Sequence, residues 1–230
     1  MTKQSKIILP DSASGKKKII IFDMDNTIIE SKIDFPLMYK DVHRFLREVG
    51  IPFDDTIWIS KVLADLEYHP QMTPDLWNAI WQRINDIETE GLLAAVLENN
   101  ANYILDKLAG NVRMAILTNN VHQAAIDILK KLDVYHYFEV VAGRGVVPEL
   151  KPSPNGMLYI LDKAQGVTPP EAMSIGDAIN DGCAATAAGI DFIAYNTSHI
   201  ENWQRAPYAP MHYLRGWNED SLQMLMSFIK

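Results

Sequence analysis

The sequence predicts an α/β protein, a doubly wound parallel sheet interrupted by a helical insert. Short apolar runs that stop abruptly at polar residues recur along the chain, and helical patterning separates them. One early stretch carries helical patterning alone for roughly 65 residues, several times what a crossover between parallel strands requires.

The first run, Ile19-Ile20-Ile21-Phe22, is mostly β-branched, as expected of a short buried strand. It ends in Asp23-Met24-Asp25-Asn26-Thr27, and open α/β sheets place their ligands just beyond such strand ends. Three later runs repeat the pattern. Met114-Ala115-Ile116-Leu117 stops at Thr118-Asn119-Asn120, Phe138-Glu139-Val140-Val141 at Gly143-Arg144-Gly145, and Ala172-Met173-Ser174-Ile175 at Gly176-Asp177. Phe192-Ile193-Ala194-Tyr195 is a fifth run. Between them, Ala124, Ala125, Ile128, Leu129 and Leu132 mark one helix face, and Leu158, Leu161 and Ala164 another. Strands alternating with helices imply parallel pairing with right-handed crossovers, which brings Asp23, Thr118, Arg144 and Asp177 to one sheet edge. The chain closes with a helix over 221–229.

From 33 to 99 the apolar spacing is helical: Phe35, Val42, Phe45, Leu46 and Val49, then Ile59, Val62, Leu63 and Leu66, then Leu76, Ile80 and Ile84. Thr73-Pro74 and Gly50-Ile51-Pro52 supply helix start and stop signals, and no strand is expected here. The expected organisation is a polar segment over 1–17, a core made of 18–32 and 100–230, and a helical cap over 33–99.

The 230 residues are 48% hydrophobic and 22% charged, ordinary for a soluble globular protein able to bury a substantial core. A net charge of -8, with Lys16-Lys17-Lys18 the only basic cluster, argues against nucleic acid or an anionic membrane as the main partner. Those lysines are expected to be a solvated stretch. No apolar run approaches membrane-spanning length. The apolar part of 1–14, Ile7-Ile8-Leu9, is too short for a signal-peptide core, so the expected location is the cytoplasm. The single cysteine, Cys183, rules out an internal disulfide. With no nearby histidine to activate it, Cys183 is expected to be a packed helix residue.

The spacing of Asp23 and Asp25 carries chemistry. Residues i and i+2 of an extended segment point the same way, so the two carboxylates address one small volume. Their repulsion must be offset by a divalent cation, a shared proton or a hydrogen-bonding loop, and an all-oxygen donor set favours Mg²⁺. One carboxylate can then attack as a nucleophile while the other exchanges protons.

Taken in order, these elements resemble the haloacid dehalogenase (HAD) superfamily over roughly residues 18 to 200. The family's DxDxT motif matches Asp23, Asp25 and Thr27. Its Ser or Thr after the next core strand matches Thr118, its lysine before a helix matches Lys151, and its GDxxxD matches Gly176, Asp177 and Asp181. The insert's position is similar to the small helical cap of phosphoglycolate phosphatase-like and β-phosphoglucomutase-like members.

The resemblance implies a Rossmann-like core, Mg²⁺ and a phosphoric monoester as substrate. It implies Asp23 as nucleophile and metal ligand, and Asp25 as acid/base, with the Asp25 backbone carbonyl also reaching the metal. Asp177 would be a third ligand, and Asp181 would orient a metal-bound water or another ligand. Thr118 and the Asn119 amide would donate to phosphoryl oxygens, and Lys151 would neutralise charge beside Asp23. Arg144 either touches substrate or forms a structural salt bridge. Lys40, Arg44, Arg47 and Lys61 either contact an anionic substrate or are solvated.

Retention of Asp25 favours phosphate-ester chemistry over dehalogenation or phosphonate cleavage. Many relatives carry Gly where this chain has Asn26, which also tolerates left-handed backbone. The expected activity is Mg²⁺-dependent hydrolysis of a small phosphorylated metabolite through an aspartyl-phosphate. A phosphomutase using the same intermediate and a non-enzymatic binding module are the alternatives, and monomer and homodimer remain equally open.

Overall fold

The computed structural model describes residues 16–57, 59–196 and 208–229. Most of the expected polar N-terminal segment therefore lies outside the described residues, as does 197–207 of the expected core.

Ile19–Phe22 (β1) is wholly buried and lies at the centre of a six-stranded sheet ordered β5-β4-β1-β6-β7-β8. The others are Arg113–Val121 (β4), Val140–Arg144 (β5), Ala172–Gly176 (β6), Asp191–Tyr195 (β7) and His212–Leu214 (β8). All five pairings are parallel. Alternate residues of β1 serve opposite faces. Ile20 and Phe22 join a core with Ala101–Leu108 (α4), His122–Lys131 (α5) and Glu219–Ile229 (α8). Ile19 and Ile21 join a second core with Asn155–Lys163 (α6) and Ile179–Ala187 (α7). Covering both faces is what makes an uninterrupted apolar strand favourable.

Three helices follow β1 as the apolar spacing predicts: Phe35–Glu48 (α1), Ile59–Leu66 (α2) and Pro74–Leu93 (α3). Asp34 caps α1 by accepting from the Leu37 N–H at 2.8 Å, and Thr73 caps α3 through the Leu76 N–H at 3.3 Å. Gly50, at φ 73°, takes the left-handed turn that ends α1. Near the end of α3, Gly91 lies against the incoming chain, where a Cβ would sit 2.4 Å from the Ile33 backbone.

Four features differ from the sequence expectations. The stretch 33–99 contains a strand, Val96–Leu97 (β3), paired antiparallel with Ile29–Glu30 (β2), so the chain segments entering and leaving the helical stretch run side by side. Two residues are too few to leave a periodic signal. The parallel edge strand β8 was not expected either, being three residues long and without a β-branched run. β5 starts at Val140, because Tyr135–Tyr137 forms a 3₁₀ turn ahead of it, and Arg144 is its last residue instead of a loop residue. Lys17 is not solvated. Its side chain is buried, bonded to Asp191 at 2.5 Å and to the Pro170 carbonyl at 2.6 Å, which ties the start of β1 to β7. No helix among the described residues is long and apolar enough to cross a membrane.

Candidate active site

The carboxyl end of β1 delivers Asp23, whose N–H donates to the Ile175 carbonyl of β6 at 2.8 Å. The next turn reverses through Asn26, at φ 54°, and closes with the Asn26 N–H on the Ile29 carbonyl at 2.6 Å. Asn26 thus takes the left-handed backbone that asparagine tolerates.

Lys151 links the end of β1, strand β4 and the first turn of α7. Its buried Nζ donates to Asp23 Oδ1 at 2.5 Å, to Asp181 Oδ1 at 2.6 Å and to the Leu117 carbonyl at 3.0 Å, which uses all three ammonium donors. The Lys151 backbone is clamped by Asn119, whose Oδ1 accepts from the Lys151 N–H at 2.9 Å and whose Nδ2 donates to the Lys151 carbonyl at 3.0 Å. The Asn119 side-chain amide thus positions the lysine.

Asp181 occupies the first turn of α7, where its Oδ2 accepts from the Ala178 N–H at 3.0 Å. Gly176 makes room for it, since a Cβ there would lie 2.5 Å from Asp181 Cγ. Carboxylate oxygens of Asp23, Asp177 and Asp181 all come within 4.8 Å of one another. Both Asp181 oxygens already hold protein donors.

Asp25 stands apart from that group. Its Oδ2 accepts from Asn120 Nδ2 at 2.7 Å, and Thr118 Oγ1 lies 3.4 Å away. Its Oδ1 is buried, and the Ser31 hydroxyl is the group that most opposes the effect of burial on this acid. Thr118 does not cap α5; its Oγ1 accepts the Asn120 N–H at 3.1 Å inside β4, whose register shifts between Leu117 and Val121.

Charge balance follows from this geometry. Two buried acids, Asp23 and Asp181, share Lys151, and the half-buried Asp177 lies beside them. Burial pushes Asp23 well above the usual carboxylate range, and repulsion from Asp181, Asp177 and Asp25 adds to it against the pull of Lys151. Burial likewise pushes Asp177 up to about 7, with Asp181 adding and Lys151 opposing. Asp25 is raised by burial despite its hydrogen bonds. For Lys151, burial lowers the pKa, but Asp181 and Asp23 outweigh it and hold the ammonium above its usual range. An oxygen-only cluster with excess negative charge fits a hard divalent cation such as Mg²⁺.

Residues 20–195 match the model for haloacid dehalogenase-like hydrolases. The chain belongs to that family. Among curated relatives, phosphoglycolate phosphatase 1 of Pseudomonas aeruginosa is 27% identical over 221 residues, covering 87% of this chain and 77% of the relative. The phosphoglycolate phosphatase of Colwellia psychrerythraea is 28% identical over 89% of this chain and 95% of its own. Among solved structures, a predicted phosphatase from Clostridium acetobutylicum superposes with a TM-score of 0.69 at 14% identity, covering 93% of this chain and 100% of that one. A HAD-superfamily hydrolase from Geobacter sulfurreducens gives 0.60 at 24% identity, with 93% and 99% covered.

Of the residues expected in this hydrolase's site, Asp23, Asp25, Thr118, Asn119, Lys151, Asp177 and Asp181 converge. Arg144 forms an ion pair and also lines the cavity above Asp23: it donates to Glu88 Oε2 at 2.5 Å and to Asn85 Oδ1 at 2.6 Å, with its guanidinium 4.2 Å from the Trp81 ring centre. Arg44 pairs with Asp41, Arg47 with Asp55 and Lys61 with Asp65, and none of them lines the cavity above Asp23. Asn120 and Glu88 were missed by sequence reasoning. Asn120 was legible only as a third polar residue after the apolar run, and Glu88 as one acid among many on a helix.

Proposed function

We propose that this hydrolase cleaves the phosphate monoester of a small molecule through an aspartyl-phosphate, with residues 33–99 acting as a helical cap over a core made of 18–32 and 100–230. The observation that carries the reading is the division of four acids into a converging group of three and a separate Asp25, which suits two different tasks.

An Asp23 carboxylate oxygen attacks phosphorus as the ester P–O bond breaks, and Asp25 gives its proton to the departing oxygen. Asp25, now ionised, takes a proton from water; the water oxygen attacks phosphorus and the Asp23 carboxylate leaves. Burial raises the Asp25 pKa, the direction a proton donor needs. Lys151 offsets charge between Asp23 and the phosphoryl group, and Thr118 lies within reach to donate to it. Asp23, Asp177 and the Asp25 backbone carbonyl would hold Mg²⁺, which supplies neutralisation of phosphoryl charge. Asp181, with its oxygens on Lys151 and the Ala178 N–H, serves best by fixing the lysine.

The cap would exclude bulk water and large substrates. A small phosphorylated metabolite in the cytoplasm is the matching substrate. The test is release of inorganic phosphate in molar excess over the protein with Mg²⁺ present, lost on chelation and regained with Mg²⁺ but poorly with Ca²⁺. Full turnover in excess chelator would refute the mechanism, and isomerised ester without free phosphate would identify a mutase.

A further inference from the structure

The cavity above Asp23 differs in character from its floor. It measures about 410 Å³, within the range of roughly 300–1,000 Å³ typical of ligand clefts and generous for a phosphate group on a two-carbon acid. Its floor carries Asp23, Asp25 and Lys151, whereas its walls include Phe35 and Met38 of α1, Leu63 of α2, Trp81 and Ile84 of α3, and Leu150.

Cations are scarce and committed. Arg144 and Lys151 are the two cationic side chains lining the cavity among the described residues. Lys151 holds Asp23 and Asp181, and Arg144 holds Glu88. The Arg144–Glu88 pair is itself nearly buried and carries no net charge when both are ionised. Above about pH 7, where Glu88 is ionised and holds Arg144, a carboxylate on the leaving group would therefore meet apolar walls and Glu88 without an unpaired cation, and burying a charge unpaired is costly. An apolar ring would instead exchange water for contact with Trp81, Leu63 and Ile84.

Resting on the phosphatase reading, we propose that the substrate is a phosphate monoester of a neutral alcohol with an apolar, ring-sized body, and not of a short hydroxy acid. The phosphate sits on the polar floor. The ring fills the space between α1, α2 and α3.

The test compares the purified full-length protein, with Mg²⁺ at pH 8 where Glu88 is ionised, on three primary alkyl esters: 2-phenylethyl phosphate, ethyl phosphate and phosphoglycolate. The kcat/KM for 2-phenylethyl phosphate is expected to exceed that for each of the other two by about tenfold or more, reflecting burial of the ring. A smaller excess, or the reverse order, with phosphate still released would overturn this inference while leaving the phosphatase reading intact. Absence of phosphate release from all three esters would count against both.

Discussion

Asn120 Nδ2 donates to Asp25 Oδ2 across 2.7 Å, joining residues 95 apart in sequence at neighbouring strand ends. This bond fixes the carboxyl group assigned to proton transfer and favours its ionised form. Removing it in Asn120→Ala should raise the Asp25 pKa further and let the side chain wander. The expected result is a fall of about tenfold or more in kcat/KM, with the alkaline limb of the pH–rate profile moved to higher pH. An unmoved limb would show that Asn120 does not act through Asp25.

Asp23→Asn and Asp25→Asn should fail differently. The first removes the nucleophile, so turnover and trapped phosphoenzyme should vanish together. The second keeps the nucleophile and removes the proton donor, so substrate should still bind while turnover on an alkyl phosphate falls by roughly 10² or more. Rapid-quench labelling with phosphorus-labelled substrate separates the two outcomes.

Lys151→Met should destabilise the protein in a pH-dependent way. Without the ammonium, Asp23 and Asp181 lose their shared partner, and breaking a buried pair costs about 3–5 kcal/mol. Because the folded pKa of Lys151 lies above its ordinary value, the lysine stays charged across the neutral range and the wild type keeps its contribution there. In the variant Asp23, already raised by burial and now without the ammonium, is expected to bind its proton more tightly in the folded than in the unfolded state, so the penalty is full at high pH and shrinks on acidification. Urea unfolding at pH 8 and pH 5 should show the gap to wild type narrowing at pH 5.

The Arg144–Glu88 pair should titrate near neutrality. Burial pushes Glu88 up to about 7 against the pull of Arg144. A carboxyl group raised in this way binds a proton in the folded state that the unfolded chain has released, so its contribution to stability falls as pH rises from the ordinary glutamate value toward 7. Protonation weakens the hold on Arg144, whose guanidinium lies over Trp81. Tryptophan fluorescence should therefore show a transition with a midpoint near pH 7 that Glu88→Gln abolishes. Persistence of the transition in that variant would assign it to another group.

The sequence by itself determined the parallel α/β core, the helical stretch after β1 and the gathering of Asp23, Thr118, Arg144 and Asp177 at one sheet edge. The physical reason is that these features are encoded locally. Ile19-Ile20-Ile21-Phe22 can bury both faces only inside a covered sheet, and parallel strands then put their carboxyl ends, with whatever residues follow, on one edge. Tertiary structure alone decided which polar groups meet. Nothing local distinguishes Asn120 as the partner of Asp25, Glu88 as the partner of Arg144, or Lys17 as a buried lysine bound to Asp191, because those pairs lie 95, 56 and 174 residues apart. Two- and three-residue strands such as β3 and β8 likewise escape notice, being too short for periodicity and held in place by the strands beside them. The apolar walls above Asp23 belong to the same class: Phe35, Leu63, Trp81 and Leu150 come from separate elements, and only packing brings them around one cavity.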